Sequence, residues 1–372
     1  MNHTKTLKVR VRDKHAPLLR EMARSVNYVW NYLNELSHRS IRERGVFLSA
    51  FDMHPYTKGA GKELNLHSHT LQCVAAEYAA RRKQFRKPRL NWRKSGGVRR
   101  SLGWIPINTG AASWKNGQVF HNGHHFTVWD SYGLGQYRFR SGSFSEDSRG
   151  RWYFNIAVDV PEFVGPLQQT ESIGIDLGLK EVATCSDGFT RLENARFYRG
   201  LEPALAIAQR ANKKARIRAI HAKIANRRKE ALHQFSRSLL KRCGMIIVGD
   251  VSPQKLVKTT MAKSVLDAGW GQLKTMLDYK CAHAGIVFKV VNEAYTTQTC
   301  SCCGAISSSS PKGRAGLRIR EWTCECGVTH DRDVNAARNI LALGLSVPQG
   351  ESTSFRTGRK SKIRTEGHSR DS

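Results

Sequence analysis

The chain has 372 residues, 40% of them hydrophobic and 9% aromatic, so it can bury more than one core, and two or three globular domains are expected. Lys and Arg number 61 against 30 Asp and Glu, and the resulting net charge of +31 is too large for a solubility device; it points to a polyphosphate partner, since each neutralised phosphate releases counterions. No run of about eighteen apolar residues, no lipidation signal and no apolar leader core in MNHTKTLKVRVRDKHAP is present, so no membrane association is expected and the cytoplasm, with the nucleoid when bound, is the expected location.

TKTLKVRV alternates like a strand and feeds a long helix in which Leu19, Met22, Val26, Val29, Trp30 and Leu33 make one face. A second helical pattern, Leu71, Val74, Ala75 and Tyr78, runs into residues 81–100, which hold ten Lys/Arg and no acid. A charge run is often only a solvated face. Here Arg81, Arg82, Lys83, Arg86, Lys87 and Arg93 lie beside Phe85 and Trp92, which suits a backbone groove with stacking partners. Residues 101–170, rich in Gly and aromatics with alternating runs such as HHFTVWD and RWYFNIAVDV, read as a β-barrel or sandwich.

From 171 to 295 the pattern changes. ESIGIDLGLKEVATCSDG is an apolar strand ending in Asp176, a Gly-containing turn, a second strand and a turn. A cationic helix follows, with Ile217, Ile220 and Ile224 on one stripe and nine Lys/Arg between 210 and 229, among them Lys213, Arg216, Arg227 and Arg228, further candidates for phosphate contacts. The strand MIIVGDV, a helix from about Met261 to Ala282 and the strand IVFKVVNEAY complete the order of a three-layer α/β fold.

Acids at the ends of successive strands, with an acidic closing helix, are what two-metal phosphodiester cleavage requires. Two Mg²⁺ ions about 4 Å apart need hard oxygen ligands converging from separate elements. Asp176 is the first candidate; the competing reading is a carboxylate that caps the Gly178 turn. Asp333 is the second: HDRDVNAARNIL puts it on nearly one helical face with Ala336 and Ile340, while Asp331 reads as an N-cap. Of nine cysteines, five fall at 300, 302, 303, 324 and 326. Cys300 and Cys303 form C-x-x-C before Gly304, and Cys324 and Cys326 supply the second pair of a structural, tetrahedral Zn²⁺ site that would fix the entry of the Asp333 helix. That second pair is one residue short of the usual knuckle, which leaves Cys302 and His330 as alternative ligands.

At these residues the sequence resembles the TnpB family, transposon-encoded RNA-guided endonucleases long labelled OrfB transposases and close to compact type V CRISPR effectors. The likeness is carried by GIDLGLKEVATCSDG, AIHAKIANRRKEALHQFS, DAGWGQLKTMLDYKC, YTTQTCSCCG, WTCECG and HDRDVNAARNIL, with NYVWNYLNE and SLGWIP near the start. It implies a multidomain α+β protein. A wedge-like N-terminal β-barrel (1–12 and 101–170) would carry a helical recognition insert (13–100). A RuvC nuclease domain of RNase H-like α/β fold (171–295 and 328–345) would carry an inserted zinc ribbon (296–327), ahead of a disordered polar tail (346–372). The resemblance also implies a guide RNA from the element's own end, recognition of a short DNA motif, duplex opening and DNA cleavage. Guide RNA and double- and single-stranded DNA are then the expected partners, with no protein partner. The matching catalytic positions are Asp176 and Asp333, and the matching zinc positions Cys300, Cys303, Cys324 and Cys326.

One departure bears on the chemistry. Family members commonly carry Glu then Asp at the end of the second nuclease strand, whereas this chain reads IIVGDVS, with Gly249 in the place of the glutamate and Asp250 next. Strand side chains alternate faces, so Asp250 does not inherit the role without a bulge. Glu293, at the end of the next parallel strand, opens onto the same edge and is the favoured third acid, with Asp250 the alternative. A site too impaired to cut would instead make the chain a guide-dependent DNA-binding protein or repressor.

Overall fold

The computed structural model describes residues 3–160, 170–252, 261–313 and 315–346. The expected polar tail lies outside them. The chain divides into two compact units, residues 1–162 and 163–372.

In the first unit, strand β1 (His3–Val11) buries Leu7, Val9 and Val11 by simple alternation. Helix α1 (Ala16–Arg44) follows, with Pro17 in its first turn, and ends where Gly45 turns left-handed at φ 67°. Its buried stripe includes Leu19, Met22, Val26, Trp30 and Leu33, as the periodicity predicts. After the short helix α2 (Ala50–Met53), helix α3 (Ser68–Phe85) packs Leu71, Val74 and Tyr78 into the same core. The β-rich part comprises β2 (Trp104–Ile107), β3 (Ala112–Lys115), β4 (Gln118–His121), β5 (His124–Phe126), β6 (Val128–Trp129), β7 (Phe139–Glu146) and β8 (Trp152–Val160). Strands pair antiparallel in the order β2-β7-β8-β1-β6, and β3-β4-β5 form a separate meander. Strand β1 runs along β8 from His3↔Val160 to Arg10↔Tyr153. Barrel closure is not found among the strand pairings of the described residues: β2 and β6 stand as edges. Nor are the helices a separate body, since α1, α3 and the sheet share one continuous apolar cluster.

The segment that follows α3 is held in place. Asn34 gives its Nδ2 to Leu90 O (2.7 Å) and takes Leu90 N–H on Oδ1 (2.9 Å). One turn earlier on α1, Asn31 does the same for Arg93 (2.9 and 2.8 Å). Carboxamides thus replace a neighbouring strand for residues 90–93.

The second unit opens with β9 (Glu171–Asp176), β10 (Glu181–Cys185) and β11 (Arg191–Glu193). Helices α4 (Phe197–Arg210) and α5 (Lys214–Leu240) then fold on each other around a small apolar cluster of their own, Leu205 and Ala208 against Ile220 and Ile224. Next come β12 (Cys243–Gly249), α6 (Ala262–Ala268), α7 (Trp270–Ala284) and β13 (Val287–Val291). The hairpin β14 (Glu321–Thr323) and β15 (Thr329–Asp331) leads into α8 (Arg332–Ser346). The sheet order is β11-β10-β9-β12-β13, with β12 parallel to both β9 and β13.

Alternation sorts the two faces of this sheet. Ile173, Ile175, Ile246 and Val248 join the core formed with α5 and α7. Gly174, between two of them, faces α8 so closely that a Cβ there would lie 2.2 Å from Ala337 O and 2.6 Å from Leu341 N. Asp176 and Gly249 share that α8 face by the same period of two. Gly174→Ala should therefore force α8 off the sheet and destabilise the unit by about 3 kcal/mol or more; a thermal unfolding midpoint equal to that of the wild type would refute the close-approach account.

Candidate active site and metal centre

Three elements converge at the C-terminal end of β9. Asp176 is its last residue, Asp333 lies in the first turn of α8, and Glu293 comes two residues after β13. Asp331 accepts Asp333 N–H (3.0 Å) and Val334 N–H (2.9 Å) on Oδ1, so it is the N-cap, and Asp333 is left for other contacts. Burial in this corner, with the charges of Asp333 and Glu293 added, pushes the Asp176 carboxyl up to about 8, against an opposing pull from Arg332. Burial also raises Glu293; Lys274 opposes that shift and Asp250 adds to it.

Glu293 occupies the space that Gly249 leaves open. A Cβ at 249 would lie 2.5 Å from Glu293 Oε2 and 3.2 Å from Glu293 Cβ, with Ile340 Cδ1 at 3.1 Å. Glu293 Oε2 is buried and has no hydrogen-bond partner. Asp250 is near enough for its charge to reach Glu293, but its carboxylate is half exposed and takes a hydrogen bond at 3.2 Å from Lys274 Nζ on α7.

Asp333 is engaged by two guanidinium groups that the sequence reading missed. Arg332 donates to Oδ1 through Nε (3.0 Å) and Nη2 (2.8 Å), and Arg320 donates to Oδ2 (3.1 Å). Arg332 precedes Asp333 directly, but only the fold brings in Arg320, thirteen residues away. The three carboxylates interact through their charges yet are not drawn together as closely as the cysteines are; among the described residues only the thiols of Cys300, Cys303, Cys324 and Cys326 form a set whose ligand atoms all lie within 4.8 Å of one another. A raised aspartate beside a buried, unpartnered glutamate oxygen is a donor set that suits a hard divalent cation.

The cysteine cluster lies beside the first turns of the same helix. Gly304, at φ 77°, gives its N–H to Cys300 O (2.9 Å), and Gly327, at φ 87°, gives its N–H to Cys324 O (2.8 Å), so each pair has its own tight turn. Sulfur–sulfur distances are 3.8 Å for Cys300–Cys326 and 3.7 Å for Cys303–Cys324. A tetrahedron of Zn–S bonds has an edge of about 3.8 Å, which these two distances match, so the four thiols suit zinc. Cys302 is exposed and outside this set, and His330 stands beside it, with Nε2 at 3.0 Å from Cys300 Sγ. Asn335 and Asn339 on α8 donate to the carbonyls of both Thr296 (3.2 and 2.8 Å) and Thr299 (2.8 and 2.7 Å), and Asn335 Oδ1 accepts Ser301 N–H (2.8 Å). Their i, i+4 spacing in DVNAARN was a signal that could have been read from the sequence.

The predicted phosphate-binding cations divide. Arg82 is turned inward, donating to Ser37 Oγ and to Leu48 O (2.6 Å), so it holds the core together and is not available to a ligand. Arg93 is half-buried on Asn27 Oδ1 (2.6 Å) and Leu102 O (2.9 Å). Arg228 binds Asp267 (2.8 Å), the residue that also accepts Tyr198 N–H at the start of α4. Arg81 pairs with Glu77 (2.6 Å) at the surface. Lys83, Arg86, Lys87, Lys213, Arg216 and Arg227 are exposed.

Residues 155–260 match a family model described as "Probable transposase", and residues 270–340 match one described as "Cas12f1-like, TNB domain". Two bacterial proteins named "Putative RNA-guided DNA endonuclease" are similar. The one from Streptomyces pristinaespiralis is 37% identical over 58% of this chain and 57% of its own length, and InsQ of Escherichia coli (strain K12) is 30% identical over 54% and 56%. The chain thus spans about half the length of the curated relatives it matches. A chain of the solved Cas12f1-sgRNA-target DNA complex superposes with a TM-score of 0.58 at 13% identity, covering 91% of this chain and 98% of that one, which shows a shared mixed α+β fold. Among the described residues no helix is long and apolar enough to cross a membrane.

Two measurements bear on the site itself. An acid whose folded pKa is raised contributes stability below its unfolded value, near 3.8, and loses that contribution as pH rises through about 8. The metal-free protein should therefore unfold more easily as pH rises from about 5 to 9, and Asp176→Asn should flatten that dependence and stabilise the protein at the alkaline end by about 1–3 kcal/mol. Equal slopes for the two proteins in pH-dependent melts would contradict the assignment. Elemental analysis should find about one zinc per chain, lost in Cys303→Ser; full retention there would exclude the four-thiol centre.

Proposed function

We propose that this chain, whose resemblance to the TnpB family is borne out by both family models and by its named relatives, is an RNA-guided DNA endonuclease with a RuvC-like site. The observation that carries the reading is the placement of Glu293 over Gly249, on the same face as Asp176 and beside the helix that bears Asp333. The strand order, with its central parallel β9-β12-β13 trio and antiparallel β10 and β11, supports an RNase H-like core.

Asp176, Glu293 and Asp333 would hold two magnesium ions, which when bound supply an activated water and offset charge on the leaving oxygen. The protein's part is positioning and charge. Asp176 would have to be ionised to act as a ligand, and its raised pKa means that it would have to give up a proton to do so. Arg320 and Arg332 hold Asp333 by its oxygens and so fix its carboxylate before a cation arrives. The sequence specificity would reside in base pairing with a transposon-derived guide RNA, while exposed cations such as Lys87, Lys213 and Arg227 grip backbones. The zinc ribbon serves to set the angle of α8.

Gly249 favours a second reading, a guide-dependent DNA-binding protein or repressor. A plasmid-cleavage assay with co-expressed guide RNA separates the two. Wild type should cut, Glu293→Ala should lose roughly a hundredfold or more in rate, and Asp250→Ala should stay within about fivefold of wild type. Gly249→Ala, which pushes on Glu293, should fall between them. Binding without cutting by the wild type would establish the repressor, and undiminished cutting by Glu293→Ala would remove Glu293 from the site.

A further inference from the structure

Phe85 and Trp92 are 56% and 51% exposed, far more than aromatic side chains of their size need to be in a folded unit. They line one cleft of about 320 Å³ together with Trp30, Lys87 and Asn91. Phe85 is the last residue of α3, and Trp92 stands on the segment that Asn31 and Asn34 lay along α1. The two rings are thus presented by a fixed backbone. Arg89 stacks over the outer ring, 5.9 Å from the centroid of Trp92. The lining includes three cations, Arg81, Lys87 and Arg93, and no carboxylate. Asn91 contributes a carboxamide that makes no hydrogen bond among the described residues.

We propose that this cleft takes a single unpaired base of the guide RNA, stacked on Trp92 and Phe85, with its phosphate near Lys87 and a polar edge or 2′-hydroxyl against Asn91. The inference rests on the reading of the chain as a guide-RNA binder. The volume lies at the low end of the range for small-ligand pockets, so it suits one nucleotide and not a strand. Its chemistry is apolar faces with peripheral cations, which attracts a splayed-out base and its backbone together. RNA is the expected source because proteins read structured RNA chiefly through unstacked bases in loops and bulges, and because the free carboxamide offers both a donor and an acceptor to a ribose hydroxyl.

The test uses the full-length protein and single-stranded oligo-adenylates of about 20 nucleotides, one ribo and one deoxy, each carrying one 2-aminopurine whose fluorescence falls on stacking. Wild type should bind the ribo strand with quenching. Trp92→Ala and Phe85→Ala should each weaken that binding by about tenfold and restore the fluorescence, while Trp92→Phe stays within about threefold. Lys87→Ala should lower the salt dependence by about one ion without restoring fluorescence. Both aromatics are half exposed, so the variants should keep the wild-type unfolding midpoint; a binding loss that tracks a lowered midpoint would overturn the pocket. An equal loss on the deoxy strand would overturn its assignment to RNA and give the cleft to a DNA strand. Wild-type binding matched by both alanine variants removes the pocket alone, whereas a wild type that binds neither strand removes the nucleic-acid reading of the chain along with it.

Discussion

The contact on which the second unit depends is the one at Gly174, where the backbone of α8 meets the backbone of β9 with no side chain between them. Helix–sheet packing normally leaves about 10 Å for side chains. Here the gap has closed, with Ala336 and Ala337 the only side chains of that stretch small enough to allow it. Because α8 cannot move toward or away from β9, Asp333 in its first turn stands at a fixed distance from Asp176 at the end of the strand. The same helix carries Asn335 and Asn339, whose carboxamides hold the turn that leads into Cys300. Thiol cluster and acidic corner therefore both sit against the first two turns of one helix, which ties the turn before Cys300 to the turn that carries Asp333.

That rigidity has an electrostatic counterpart. Natural folds seldom keep carboxylates in a shared, partly buried corner without compensation, and here the compensation is incomplete. Arg320 and Arg332 satisfy Asp333, and Lys274 satisfies Asp250, but Glu293 keeps a buried oxygen without a partner and Asp176 keeps its proton into the neutral range. The corner is stable as a scaffold and unsatisfied as a charge arrangement. Such a state favours whichever cation can enter it.

Much of this was legible from residue order. The strand ending in Asp176, the parallel neighbours β12 and β13, the thiol spacing and the N-cap role of Asp331 each follow from local rules that tertiary structure had no reason to override. Alternation even separated Gly249 from Asp250 before their faces were seen. What was not legible depended on distant partners. Arg82 reads as one more cation in a basic run, and only Ser37 and Leu48, on the chain segments packed beside it, draw it inward. Arg320 reaches Asp333 because β14 and β15 fold back on each other. Helix α4 was missed because Pro203 sits inside it, and its first turn is stabilised by Asp267 from a later helix and not by a cap of its own. The single helix expected from Met261 to Ala282 is divided by Gly269, whose left-handed φ of 71° ends α6 and starts α7. Barrel or open sheet was a matter of which edges pair, and alternation along a strand carries no information about that.

The fit of Glu293 into the hollow above Gly249 also limits what the end of β12 can carry. A Cβ at 249 would meet Ile340 Cδ1 at 3.1 Å and Glu293 Cβ at 3.2 Å as well as the carboxylate itself, so the hollow has room for one side chain, and it is supplied from just after β13.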